Sequence, residues 1–342
     1  MPISNQSPSA SQFCFTTIET VYGVPNNTAG VATVVAADAV RIASLDTSVK
    51  QETVKRDIKS GNFTPLVQIP SRPMGSWSLD TELYSNGVAG TKPDLDDLLM
   101  ASFGKASVAV ASTSVTYALA DHLPATPAPS LSIYNFRDPA TTLQQLAIGA
   151  VVKSMTLAFN ANGAQKIQFS GPCKYVLENF RFASEDTATK SSLTAFPVRP
   201  AAPVYNGAPV LGWKGSVTIG GNAYATLRSG SLSVDFNRDL LMDVLGAGLA
   251  IGISQGERAW PVDLTLYADD SASFQSLIVA LTSTAQNVVI AIGNGAGNIH
   301  TFSLANILFD RETLDSTARN WSVKIKGNAS GTNLDEAGYD IT

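Results

Sequence analysis

The chain of 342 residues is acidic and sparsely charged: 44% of its residues are hydrophobic, 15% are charged, and the net charge is −5 with a pI near 5.1. This composition excludes an intrinsically disordered chain, which needs low hydrophobicity and high charge. It also disfavours a protein that grips nucleic acid by its phosphates, because such a grip needs a basic face. An acidic surface can still face DNA without holding it. The length predicts about two domains.

The N-terminal segment, Met1–Ser11, is polar and lacks the basic region and apolar core of a signal peptide. The sequence contains no uncharged apolar run of about 18 residues, so we expect no membrane span. Cys14 and Cys173 are the only cysteines and form no metal or redox motif. Without an export signal, we expect both to be reduced and buried.

Alternating apolar and polar residues predict strands along most of the N-terminal half. The first clear case, Trp77–Tyr84, reads W-x-L-D-x-x-L-Y, and Ser154–Phe159 and Lys166–Gly171 follow the same period of two. Between them, apolar residues recur on one helical face from 95 to 103. Pro93 near the start and Gly104 at the end favour a short amphipathic helix there.

The C-terminal half repeats this order of elements. Strand patterns cover Ser231–Phe236, Trp260–Tyr267 (W-x-V-D-x-x-L-Y), Ala305–Asp310 and Ser322–Gly327. Helical spacing of Phe274, Leu277, Ile278 and Leu281 follows the second tryptophan strand. Strand, helix, strand, turn, strand and glycine thus occur in the same order in both halves, which predicts an internal duplication.

The predicted fold class is mainly β, with two tandem β-sandwich or barrel-forming domains that each carry one flanking helix. The domains span residues 1–182 and 210–342, and the Ser-, Thr-, Ala- and Pro-rich segment 183–209 is the predicted linker. The second copy lacks an insertion found at Ala106–Gln145 in the first.

For the side chains that could take part in catalysis or ligand binding, the sequence favours structural roles. His122 and His300 have no partner set for catalysis or metal binding, so we expect surface or hairpin positions for both. The run Gly293–Asn298 matches no phosphate-binding motif and favours a hairpin turn. The pairs Asp96–Asp97 and Asp269–Asp270 favour helix N-terminal charge over paired catalytic carboxylates.

Two further features leave alternatives open. Trp77 and Trp260, with Tyr84 and Tyr267, could form a stacking platform for single strands, but their parity favours the sandwich core. The apolar, Gly-rich stretch Leu240–Ile253 could be a buried strand continuation, a contact loop between subunits or, least favoured, a membrane-active peptide.

Taken in order, these pieces resemble the tail tube protein family of long-tailed bacteriophages. The residues that carry the resemblance are Arg72–Asp80, Leu95–Gly104, Gly149–Asn160, Ile167–Gly171 and Gly256–Leu266. The resemblance implies small β-sandwich domains with one helix each, whose inner strands join across subunits into a ring. Rings would stack into the tube through which DNA leaves the capsid. Two copies per chain then imply a homotrimeric ring with pseudo-six-fold symmetry, with a hexamer as the alternative.

The resemblance and the acidic pI together predict a neutral to negative channel, because positive walls would hold DNA phosphates. Candidate channel-lining residues lie on the polar parity of predicted strands, although they could face outward instead: Asp80, Glu82, Asp235 and Asp263.

Ring-to-ring contacts are expected from two long connections in equivalent positions, Thr47–Arg72 and Asn237–Arg258. The alternative is that both are local hairpins that cover their own domain. The candidate stacking residues are Lys50, Glu52, Lys55 and Arg56 in the first connection, and Leu241, Leu245, Leu249 and Ile251 in the second.

The sequence thus predicts a structural virion protein, synthesised in the host cytoplasm, with no catalytic residue, metal or cofactor. Its implied partners are its own copies, other tail proteins such as the tape measure and terminator, and passing double-stranded DNA that it does not bind specifically. No membrane binding is expected. Alternative functions are another tail, baseplate or injection-system tube component, or a carbohydrate- or receptor-binding β-sandwich.

Overall fold

The computed structural model describes residues 12–54, 68–120, 128–138, 141–159, 163–224, 227–243, 248–268, 274–275, 278–279, 284–315, 321–331 and 336–342. This part of the chain is built mainly of antiparallel strands. Before residue 183 the elements are β1 (Gln12–Ile18), β2 (Asn27–Thr28), β3 (Val31–Ala32), β4 (Ala39–Val40), β5 (Ser44–Val54), β6 (Ile69–Glu82), β7 (Tyr84–Ser85), α1 (Asp96–Phe103), β8 (Val108–Val110), β9 (Ser114–Tyr117), β10 (Leu131–Arg137), β11 (Gln145–Ala150), β12 (Ser154–Phe159), β13 (Lys166–Cys173) and β14 (Tyr175–Glu178).

After residue 207 the strands are β15 (Ala208–Pro209), β16 (Gly215–Ile219), β17 (Asn222–Tyr224), β18 (Leu227–Asp235), β19 (Arg238–Met242), β20 (Ala250–Gln255), β21 (Pro261–Tyr267), β22 (Gln286–Ile292), β23 (His300–Asp315), β24 (Ser322–Asn328) and β25 (Ala337–Ile341). Short 3-10 helices lie at Ala36–Asp38, Thr141–Leu143 and Phe182–Ser184.

Both halves of the chain contribute to one continuous antiparallel sheet, here called the central sheet. Its strand order is β5-β6-β13-β12-β18-β21-β24-β23. The first four strands come from the N-terminal half and the last four from the C-terminal half. They join where β12 pairs with β18, from Ser154 opposite Asp235 to Phe159 opposite Gly230.

One face of the central sheet packs into the core and the other is polar, as the period of two predicts. Trp77 is 3% exposed and Trp260 is 1% exposed, so the tryptophans are core residues and not a stacking platform. The same parity buries Leu79 and Leu157 in the N-terminal half and Leu264 in the C-terminal half. Alternation thus fixes which side chains face away from the core.

Two outer sheets cover the core face. The first has the order β14-β11-β10-β1-β4, and the second has the order β17-β16-β22-β23-β25-β9-β8. The long strand β23 belongs to both the central and the second outer sheet, and it changes sheets near Asn306, whose φ is 51°. Strand β9, from the predicted insertion, pairs with β8 on one side and with β25 on the other, and so attaches the N-terminal half to the C-terminal half.

The predicted linker 183–209 packs along the first outer sheet. Leu193 joins an apolar cluster with Tyr134 and Phe136 of β10, so this strand is buried on both faces. The Val204 amide donates to the Ala36 carbonyl at 2.8 Å, and the Arg41 guanidinium lies 5.4 Å from the Tyr205 ring centre. The segment is therefore a third layer over the N-terminal half.

Helix α1 has the predicted position and ends at Gly104, whose φ of 94° is the left-handed conformation that glycine adopts without strain. Asp96 and Asp97 lie in its first turn, as predicted. Of the second predicted helix, 274–275 and 278–279 are helical. Leu277 and Leu281, like the Asp269–Asp270 pair, lie outside the described residues.

Candidate assembly surfaces

The polar face of the central sheet brings the four predicted channel-lining carboxylates onto one surface. Asp80 and Glu82 lie on β6, Asp235 lies on β18, and Asp263 lies on β21. Each alternates with a residue buried in the core, so all four point away from it. The sequence predicted the parity of each residue correctly, but only strand order shows that the two halves share this face.

Hydroxyls and amides accompany these carboxylates. The Ser44 hydroxyl donates to Asp80 at 2.8 Å, and the Tyr84 hydroxyl donates to Glu82 at 2.8 Å. The Asn237 amide donates to Asp235 at 2.8 Å. Many of the intervening positions hold serine or threonine, so the face is hydrophilic without a dense charge.

Lysines on the same face lie next to carboxylates. Lys166 lies directly opposite Glu82 in the ladder between β13 and β6. Lys326 lies opposite both Asp263 and Asp310, and the Lys324 ammonium lies 3.8 Å from an Asp263 oxygen. These neighbours offset the positive charges, so a polyanion meets a neutral to negative surface.

The central sheet has two open edges. In the described part of the chain, β5 pairs with β6 alone, and the β23 segment from Leu308 onward pairs with β24 alone. Open edges present unpaired backbone groups that another strand can join. The described strands do not close into a barrel within one chain.

The sequence matches the family described as phage tail tube proteins over residues 12–336, which is nearly the whole chain. The chain belongs to the phage tail tube protein family. A search of curated proteins found no match. Tail tube proteins are structural components of the virion tail and assemble with themselves and with other tail proteins, so the chain is a structural protein and no enzyme.

The two predicted ring-contact segments of this tail tube protein project from the same end of the central sheet. The first is the extension of β5 and β6, which stay paired from Gly75 opposite Val49 to Ile69 opposite Val54. The second is the hairpin β19–β20, which begins three residues after Asp235. Both are largely hairpin arms rather than the loops predicted, because their backbone groups pair with each other.

The candidate stacking residues differ in how far they are exposed. Lys50 and Glu52 form an ion pair of 2.8 Å on the surface. Leu241 is 45% exposed and Ile251 is 65% exposed, whereas Leu249 is half-buried. Lys55, Arg56 and Leu245 lie outside the described residues. For the stretch Leu240–Ile253, the observed hairpin excludes a fully buried strand.

A buried arginine anchors the base of hairpin β19–β20, and the sequence did not predict it. Arg238 is fully buried and donates from Nη2 to the Ser102 carbonyl at 2.8 Å and from Nη1 to the Ala101 carbonyl, at the C-terminal end of α1. Its guanidinium lies 4.9 Å from the Phe236 ring centre. Burial, together with the nearby charge of Arg258, lowers the pKa of Arg238 to about 9.

A cavity of about 600 Å³ lies beside the open edge of β5. Val49 and Gln51 of β5, Tyr175 of β14, and Leu249 from the tip of hairpin β19–β20 line it. The cavity therefore occupies the open side of the sandwich, between the central sheet and the first outer sheet.

The remaining predicted residues are structural. His300 opens β23 after the turn at Gly293–Asn298, but it is fully buried and not at the surface, and it hydrogen-bonds the Tyr339 hydroxyl. Burial lowers the pKa of His300 to about 3. His122 lies outside the described residues. Cys14 and Cys173 are buried free thiols, as predicted.

Within the described ranges, no group of three or more His, Cys, Asp or Glu side chains is arranged to hold a metal ion. No helix in the same ranges is long and apolar enough to cross a membrane.

Proposed function

We propose that three copies of this chain close into a ring, and that stacked rings form the tail channel through which DNA leaves the virion. The observation that carries the proposal is the central sheet, in which each half supplies four strands in an equivalent order. In the N-terminal half the tryptophan strand β6 lies between β5 and β13, and in the C-terminal half β21 lies between β18 and β24. This order supports a duplication into tube domains at 1–182 and 210–342, joined by 183–209.

The width of the channel favours three copies. Three chains of eight strands each give a 24-stranded barrel. Strands spaced about 4.8 Å apart then give a backbone diameter of roughly 37 Å, and strand tilt widens it. Side chains on the inner wall take about 5 Å at each side, which leaves roughly 27 Å for a duplex about 20 Å wide. By the same arithmetic, the free channel diameter before strand tilt is roughly 15 Å for two copies and about 60 Å for six.

The polar face suits the channel wall because it repels DNA weakly and does not bind it. Asp80, Glu82, Asp235 and Asp263 share this face, and its lysines stand opposite carboxylates. A basic wall would release counterions from DNA and hold it with strong salt dependence. A neutral to acidic wall allows the duplex to slide.

Ring stacking is assigned to the segments around Lys50–Glu52 and around Leu241–Ile251. Because both project from one end of the central sheet, they would meet the opposite end of the next ring. Charge pairs would set the register, and the exposed Leu241 and Ile251 would supply apolar burial. Terminator and tape-measure proteins would use the same end surfaces and the same channel.

Electron cryomicroscopy of the assembled protein tests the proposal. We expect stacked rings of three chains, with the polar face of the central sheet toward the channel. Rings of six whole chains, or a central sheet whose polar face points outward, would contradict it. A strongly positive electrostatic potential in the channel would contradict the proposal that DNA slides along the polar face, but it would leave the proposed ring unaffected.

A further inference from the structure

The strand pairing that joins the two halves of the chain (the internal joint) provides a register for the pairing between two chains (the joint between chains). Within the chain, the last strand of the N-terminal four, β12, pairs with the first strand of the C-terminal four, β18. The strands in the equivalent places at the ends of the central sheet are β23 and β5. Both have open edges there, in the part of the chain that the structure describes.

The tryptophan strands give the residue-to-residue equivalence. In β6, Leu79 follows Trp77 by two positions, and Val262 follows Trp260 likewise. Leu79 pairs with Leu45 of β5, and Val262 pairs with Leu232 of β18, so Leu45 is equivalent to Leu232.

The strands on the opposite side of β6 and β21 give a second pair of equivalent residues. Leu79 pairs with Phe169, which pairs with Met155 of β12. Val262 pairs with Gly327, which pairs with Phe309 of β23. Phe309 is therefore equivalent to Met155, and both are buried.

We propose that residues from Leu308 onward in β23 of one copy pair antiparallel with β5 of a second copy, in the register of the internal joint between β12 and β18. The inference rests on the proposed ring. Because Ser154 lies opposite Asp235 in the internal joint, Leu308 lies opposite Ser48 in the joint between chains, and Phe309 lies opposite Thr47.

The edge of β5 has space for such a strand, and one of its backbone acceptors is bonded to a side chain that the strand would replace. The Leu45 carbonyl accepts a hydrogen bond of 2.9 Å from the Gln12 side-chain amide, so a side chain occupies a backbone acceptor at this edge. The cavity of about 600 Å³ lies along Thr47–Gln51, which leaves space on the core side of β5. Leu308 is 56% exposed in the single chain, although it lies in the middle of a long strand. In the proposed register it lies on the polar face, beside Ser48 of the second copy.

The proposed register also places Asp310 opposite Asp46. Like charges directly opposite each other weaken a strand pair, and Lys326 on the far side of Asp310 offsets this only in part. The joint between chains is thus weaker than the internal joint, where Thr156 faces Ser233.

Paired cysteines test the register. The double variant Ser48→Cys with Leu308→Cys places two exposed positions opposite each other, with Cβ atoms about 4.5–5.5 Å apart. Matched controls combine Leu308→Cys with Ser44→Cys or Asp46→Cys, which move the partner cysteine along the same face of β5. Native Cys14 and Cys173 are buried and stay in place.

After oxidation of assembled protein, we expect covalent ladders that end at three chains for the Ser48 pair, and mostly single chains for the controls. Linking by the Asp46 or Ser44 pair instead would overturn the register. Tubes without any link in the three variants would overturn the strand joint while the proposed function stands. Absence of rings in wild-type protein would count against both.

A second variant tests the joint without cysteine chemistry. Asp46→Asn removes the like-charge pair and should lower the protein concentration at half-assembly by about two- to fivefold. Asp340→Asn, on the second outer sheet, is the control and should leave it unchanged. An equal or weaker assembly of the Asp46 variant would overturn the register.

Discussion

Replacing Arg238 with methionine tests whether the buried guanidinium holds hairpin β19–β20 to helix α1. Methionine keeps a similar length and removes the donors. Two close bonds, to the Ala101 and Ser102 carbonyls, are lost. Bonds from a charged donor contribute about 1.5–3 kcal/mol each, so the gross loss is about 3–6 kcal/mol.

Part of that loss is offset, because methionine avoids the desolvation of a buried cation that has no carboxylate among its hydrogen-bond partners. We expect a net decrease of about 2 kcal/mol in the free energy of unfolding and roughly 3 °C in melting temperature. Amide exchange at Gly104, whose N–H donates to the Met100 carbonyl at 2.8 Å, should become faster.

The matched control is Asp239→Asn at the next residue. It removes an exposed ion pair of 2.8 Å with Lys153 and should change the free energy of unfolding by less than about 0.5 kcal/mol. Unchanged or higher stability of the Arg238→Met variant would refute the reasoning, because desolvation would then outweigh the carbonyl bonds.

Two further predictions concern a titrating carboxyl and the apolar hairpin. Burial raises the pKa of Asp97 to about 7, with a smaller contribution from the charges of Asp96 and Asp38. The charged carboxylate therefore destabilises the folded state, fully above about pH 7. This destabilisation decreases as the pH falls toward about 4 and is absent below that pH. Asp97→Asn should therefore raise the melting temperature at pH 8 and leave it unchanged at pH 4; an equal gain at both values would contradict this origin. Ile251→Asp should leave the melting temperature within about 2 °C, because the residue is exposed in the single chain, and should stop rings from stacking, as seen by electron microscopy. The control Val198→Asp, at an exposed position of segment 183–209, should form normal tubes; normal tubes from the Ile251 variant would exclude the hairpin from ring contacts.

Local patterns predicted the local structure well. The helix at 95–103 and the tryptophan strands have strong periods and clear end signals, so α1, β6 and β21 lie where expected. The outward orientation of the four carboxylates that we propose for the channel wall followed from strand parity alone. These features depend on neighbours within about ten residues, which a sequence displays directly.

Long-range features could not be predicted in the same way. The pairing of β12 with β18 joins segments whose sequences contain no signal of each other. The layer formed by 183–209 was hidden because its small and polar composition is typical of linkers, and its apolar contacts, such as Leu193, are scattered. Arg238 was missed because burial of a charge depends on the helix end that receives it, far away in the chain.

The two kinds of joint in the proposed ring differ in strength, and the difference explains how the chain could remain a monomer before assembly. The internal joint has the ladder between β12 and β18 and three additions: Arg238 on the end of α1, the Phe103 ring 5.8 Å from Trp260, and the pairing of β9 with β25. In the proposed duplication, the insertion that supplies β8 and β9 occurs in one half alone, so the joint between chains would lack that third addition. The joint between chains instead has an open cavity and a pair of facing carboxylates. Folding of one chain would therefore complete the internal joint first, because its partners are tethered. The joint between chains instead depends on protein concentration, and it gains stability when stacking on a neighbouring ring adds the hairpin contacts.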